Sequence, residues 1–142
     1  MPVTMTVEAQ DQGIASGVLE SVGDEKIVLK VPGTSYQLHF TPAVPASDID
    51  APVGKRIKGT VHAQALRMFV AKGGGRFIEP IWGEPRIVAG FVKAVDQPNR
   101  RVLVDVSIPI WMTLEPRQPA DMFKVGQLVN CYVQSGTRFR PV

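Results

Sequence analysis

The chain is poor in the residues that metal chemistry and covalent cross-linking draw on. It has one cysteine, Cys131, and two histidines, His39 and His62, in 142 residues. A single thiol excludes an internal disulfide and a cysteine metal cluster. The histidines belong to no ligand spacing such as His-Glu-x-x-His and read as surface or hydrogen-bonded side chains. Asp48-x-Asp50 lacks the third ligand and the glycine turn of a calcium loop. No Gly-Lys-Ser/Thr follows Gly73-Gly74-Gly75, which excludes a P-loop. No apolar run approaches the roughly 18 residues that cross a bilayer, and the N-terminus carries neither the basic region nor the apolar core of a signal peptide. The expectations that follow are no catalytic residue, no metal, no cofactor, no membrane and a reducing, cytoplasmic setting; the chain is read as not an enzyme. Oligomeric state is left open.

What the chain does have is turn residues and short apolar runs. Glycine and proline number 13 and 12, and hydrophobic residues make up 44% against 20% charged, a balance that fits a folded protein without disorder. Helical periodicity is absent, and the visible signal is alternation with a period of two between turn residues, which predicts an all-β fold. The net charge of +3 is uneven: residues 1–69 carry −1, residues 70–86 carry +1 and residues 87–142 carry +3. That excess is well below what a dedicated duplex-DNA binder carries.

The stretch Gly73-Gly-Gly-Arg-Phe-Ile-Glu-Pro-Ile-Trp-Gly-Glu-Pro-Arg86 organises the rest. Ile87 to Val95 repeats the pattern of Ile14 to Val22, with Gly90 matching Gly17. Val102, Val104 and Val106 match Ile27, Leu29 and Val31, and Ile110, Met112 and Leu114 match Tyr36, Leu38 and Phe40. Val125-Gly126-x-x-Val129-x-Cys131 matches Val53-Gly54-x-x-Ile57-x-Gly59, and Arg138-Phe139 echoes Arg76-Phe77. Several matches in one order, sharing turns and core periodicity, make an internal repeat. The predicted organisation is a tail over 1–13, a five-stranded unit over 14–82 with an extended hairpin between its fourth and fifth strands, a linker over 83–86 and a second unit over 87–142. In each unit the last Arg-Phe stretch is read as the fifth strand. The pattern resembles the OB-fold in a reduced form, without the usual helix between strands 3 and 4. The whole resembles bacterial proteins made of two OB-folds in tandem, that is, two small β-barrels packed against each other. A unit of about 60 residues is marginal alone, so Phe77, Ile78, Ile81 and Trp82 are expected to fill an interface between the units.

The resemblance implies a binding module that uses the strand 2–3 face and the loops joining strands 1–2 and 4–5. Single-stranded RNA or DNA would need cations for phosphate and flat rings for bases. The second unit offers Arg100 and Arg101 in its strand 1–2 loop and Trp111 on strand 3. Trp111 lies between core-facing Ile110 and Met112, so it either packs against the other unit or offers a stacking platform. The first unit offers Arg67, Lys72 and Arg76 around three glycines, whose backbone N–H groups can form an anion nest or a plain hairpin tip. The alternative to nucleic acid is a protein partner docked on Phe69, Phe77 and Trp82 or on an edge strand. Cys131, inward on strand 4 where the first unit has Gly59, reads as a buried inert thiol.

Overall fold

The computed structural model describes residues 13–142; the expected tail, Gly13 apart, lies outside them. Strands come in chain order as β1 Ala15–Val22, β2 Ile27–Lys30, β3 Gln37–Pro42, β4 Arg56–Val70, β5 Phe77–Glu79, β6 Trp82–Gly83, β7 Ile87–Asp96, β8 Arg101–Asp105, β9 Pro109–Thr113, β10 Leu128–Val133 and β11 Arg138–Pro141. Helical geometry among the described residues is confined to three single 3-10 turns, Ala46–Asp48, Gln97–Asn99 and Ala120–Met122. The fold is all-β, as the alternation predicted. Proline density explains why the segment between β3 and β4 yields one turn and no helix.

Five strands close a barrel. β1 pairs antiparallel with β2 and β4, β2 with β3, and β3 runs parallel to β11, which returns antiparallel to β4. Inward positions follow the predicted alternation at Ile27, Leu29, Leu38, Phe40, Ile57 and Val61, all buried, while Tyr36 is half-buried against the core; Phe139 is buried with them. The other strands pair in turn from β4 to β10, β7, β8 and β9, and β9 runs parallel to β4 again at His62, Ala63 and Gln64. β4 reaches all of these partners because it is 15 residues long. Its first half belongs to the closed barrel and its second half to the extra strands. A single apolar core runs through both sets.

The fifth strands are exchanged relative to the sequence expectation. Arg76–Trp82 does not return to the first unit as one strand: β5 pairs with β7, and β3 is met by the two-residue β6 and by the Ile81 carbonyl, which accepts from the Gln37 N–H. The barrel is closed instead by β11, from the far end of the chain. Phe139 explains the choice. Its ring is fully buried, stacks on Phe40 with centroids 6.3 Å apart, and lies over Gly59. A Cβ at Gly59 would fall 2.4 Å from both the Arg140 carbonyl oxygen and the Phe139 ring, so the close approach of β11 requires glycine there. Of the four residues expected at an interface between units, Ile78 alone is buried; Phe77, Ile81 and Trp82 are exposed. Trp82 rests edge-on against His39, with ring centroids 4.7 Å apart.

The sequence repeat has structural counterparts. The Gly54 N–H donates to the Leu19 carbonyl at 2.7 Å, and the Gly126 N–H donates to the Val92 carbonyl at 2.9 Å. Both glycines have positive φ, 89° and 96°, the left-handed turn that glycine adopts without strain. β1 and β7 each carry a bulge at matching places, between Leu19 and Ser21 and between Val92 and Ala94.

Candidate functional site

The second half of β4 lies at one side of a four-stranded surface, ordered β4–β10–β7–β5. β10 buries Val129, Cys131 and Val133 and therefore turns Asn130 and Tyr132 outward. A bulge between Ala65 and Arg67 adds one residue to β4, so Ala65 and Met68 both stay buried while Arg67 and Phe69 face out. Register then aligns two rows across the surface. Phe69, Asn130, Ala89 and Phe77 form one, and Arg67, Tyr132, Ile87 and Glu79 form the next. Phe91, opposite Leu128, extends the same face.

Side-chain size shapes this surface into a trough. Ala89 is short and buried at its centre, with taller rings on the outer strands. The result is a cleft of about 240 Å³ lined by Phe69, Phe77, Glu79, Ile87, Asn130 and Tyr132, with Cys131 beneath. Phe69, Phe77, Phe91 and Tyr132 keep 37%, 37%, 36% and 47% of their surface in contact with solvent. Single exposed apolar residues are ordinary, but four rings on one sheet face form a patch of the kind that marks interaction sites. The Phe69 and Tyr132 rings sit 6.2 Å apart, and the Arg67 guanidinium lies 5.7 Å from the Phe69 centroid.

The glycine loop connects strands of this face. The Ala71 N–H donates to the Leu128 carbonyl at 2.8 Å, and the chain then crosses from β4 to β5, the two outer strands of the face. Lys72 and Arg76 stand in this connection, outside the residues that line the cleft, and Gly73, Gly74 and Gly75 have open space beside them. Arg76 forms an exposed 3.0 Å ion pair with Asp105, a contact of small net worth. Of the three predicted cations Arg67 lies against a ring of the trough, and Phe77, which was expected at an interface, lines it.

Arg100, Arg101 and Trp111 lie elsewhere, toward the start of β8, whereas Arg76 pairs at its other end. Arg100 has a left-handed φ of 52° and its side chain reaches the Leu114 carbonyl at 3.5 Å. Arg101 binds Asp96 at 2.7 Å and covers the Trp111 ring at 4.3 Å. Burial alone would raise the Asp96 pKa, but hydrogen bonds from Asn99 and Arg101 outweigh it and hold the carboxyl below its ordinary value. Trp111 is 4% exposed, so it packs and offers no ring face to a base.

No family model, curated protein or solved structure matches the chain. The surface chemistry has to carry the functional reading. Burial pushes the Cys131 thiol up to about 12, and its sulfur rests 3.9 Å from the Met112 sulfur, which makes it unreactive as a nucleophile. Among the described residues no group of three or more His, Cys, Asp or Glu side chains could hold a metal ion. Among them too, no helix is long and apolar enough to cross a membrane. Sequence reasoning missed Phe91 and Tyr132 as site residues. For Tyr132 the available signal was the one applied to Trp111: a ring at an outward slot between two inward residues, here Cys131 and Val133.

Proposed function

We propose that the chain is a non-enzymatic module that binds single-stranded nucleic acid, with bases seated in the trough between Phe69, Tyr132 and Phe77. The observation that carries this reading is four exposed rings on one sheet face with the Arg67 guanidinium against one of them; Lys72 and Arg76 stand on the loop that joins the outer strands of that face. Rings stack on any base, and cations meet phosphate, so the affinity is tolerant of sequence and sensitive to salt. An OB-like reading of both units is supported by strand order. β3 runs parallel to β11, and β9 runs parallel to β4, as third and fifth strands would if the two units shared β4. The site lies away from the strand 2–3 face that the resemblance implied.

The test is a titration of labelled single-stranded DNA and RNA at low and at near-physiological salt. Binding is expected at low salt, and Tyr132→Ala should weaken it by about 1–3 kcal/mol, the range for one stacked base. No binding even at low salt removes the proposal. The alternative is a protein-docking surface, favoured by Ile87 and Leu66 beside the rings, with Leu66 56% exposed. Self-association in light scattering that Phe77→Ser abolishes, without oligonucleotide affinity, would support that reading instead.

A further inference from the structure

A second surface lies around the first half of β4 and uses none of the trough residues. β11 buries Phe139 and so turns Arg138 and Arg140 outward. Register places Arg138 opposite His62 and Arg140 opposite Thr60 on β4. The next outward residue of β4 is Lys58, whose carbonyl accepts from the Val142 N–H at 3.1 Å, and Arg56 follows. On the other side of β11, Arg138 faces Thr41 of β3. Arg56, Lys58, Arg138 and Arg140 are all exposed, and none has an ion pair or hydrogen-bonded carboxylate among the described residues. Thr60, His62 and Thr41 lie between them, and the exposed Val142 follows Arg140 beside Lys58.

Like charges gathered on adjacent strands repel one another and weaken a sheet. A solvated face normally intersperses both signs, whereas on β4 and β11 no carboxylate side chain stands among the four cations, and Glu20 follows only beyond Val18 on β1. We infer that the outward face of β4 and β11 is a phosphate-backbone track for single-stranded nucleic acid, in which Arg56, Lys58, Arg138 and Arg140 contact phosphodiesters and no base is read. No aromatic ring lies among the cations, and beside them stand only the exposed Val142 next to Lys58 and the half-buried Val18 opposite Arg56, which favours a strand over a lipid surface, where rings or several aliphatic groups would enter the acyl region. The inference goes beyond the trough, because the contact needs phosphate and not bases. A strand lying along β4 would reach Arg67 and the trough at its far end.

The probe is therefore a single-stranded oligonucleotide made entirely of abasic sites, about a dozen phosphates long. Wild-type protein should bind it at low salt, with log K falling linearly against log salt. Each lost phosphate contact lowers the steepness of that line by about 0.7 for single strands, so Arg138→Gln/Arg140→Gln should reduce it by about 1.4. Arg117→Gln/Lys124→Gln removes the same net charge from exposed loop positions and should leave the steepness unchanged. If the β11 variant does not melt as the wild type does, Arg56→Gln/Lys58→Gln on β4 makes the same measurement. Failure of the wild type to bind the abasic strand overturns the inference, as does an unchanged steepness in a folded track variant. Binding of phosphatidylserine vesicles with the same Arg138 and Arg140 dependence, and not of the abasic strand, would overturn it in favour of a membrane surface.

Discussion

His62 sits at the meeting point of β4, β9 and β11, with its Nε2 2.8 Å from the Thr60 hydroxyl. Its pKa is lowered, first by burial and then by Arg101, Arg140 and Arg138. The folded protein therefore resists a proton that the unfolded chain accepts near pH 6.5. Between the lowered folded value and 6.5 the unfolded state binds more protons, so stability rises with pH through that window. It is complete above about pH 6.5 and is lost as the pH falls. His39 shifts in the same direction, through burial and then Lys26, with Glu84 opposing. The informative measurement is thus comparative. The drop in melting temperature from pH 7.5 to 5.5 should be smaller in His62→Gln than in the wild type. An equal drop in both would show that the charge on His62 does not matter to folding. Other residues were legible from pattern alone. Ile57, Gly59, Val61 and Ala63 face inward as alternation requires, and Cys131 is buried and inert. The ring of Tyr132 shares its outward slot pattern with Trp111, which the fold buries, so the pattern alone does not tell an exposed ring from a packed one.

At the level of elements, β11 is the clearest case of a strand whose existence is readable and whose partner is not. Arg76-Phe77 and Arg138-Phe139 begin alike, and the repeat reads each as the fifth strand of its unit. Only packing separates them. Phe139 is fully buried against Phe40 and Gly59, whereas Phe77 stands 37% exposed and its neighbour Ile78 goes inside. Hydrophobic periodicity gives the face of a strand but not which ring of hydrogen bonds it joins, since both edges of a strand look the same from sequence. The approach to β11 is also secured by a contact that spacing could not suggest. Glu84 accepts from the Ser135 hydroxyl at 3.0 Å and from the Gly136 N–H. Removing the Phe139 ring should cost about 3–5 kcal/mol, the usual range for a buried Phe→Ala change. Denaturant unfolding of Phe139→Ala checks this, and a loss below about 1 kcal/mol would mean that β11 does not anchor the barrel.

At the scale of the molecule the exchange of strands makes the two halves of the sequence depend on each other. β3 and β4 need β11 from the C-terminal half, and β9 and β10 need β4 from the N-terminal half. A closed barrel of about 60 residues would already bury only about 60% of its unfolded surface. A fragment of residues 1–82 lacks β11 altogether, so β3 and β4 expose unpaired edges and the barrel core opens at Phe40 and Gly59. That fragment should show no cooperative thermal transition by circular dichroism and should tend to associate through its open edges. Residues 83–142 alone should behave likewise, because β9 and β10 lose their common partner. Mixing the two fragments supplies each half with the strand it lacks, so a cooperative transition should return in an equimolar mixture. A monomeric 1–82 fragment that melts cooperatively by itself would show that each half closes on its own strands, and the shared role of β4 would have to be abandoned.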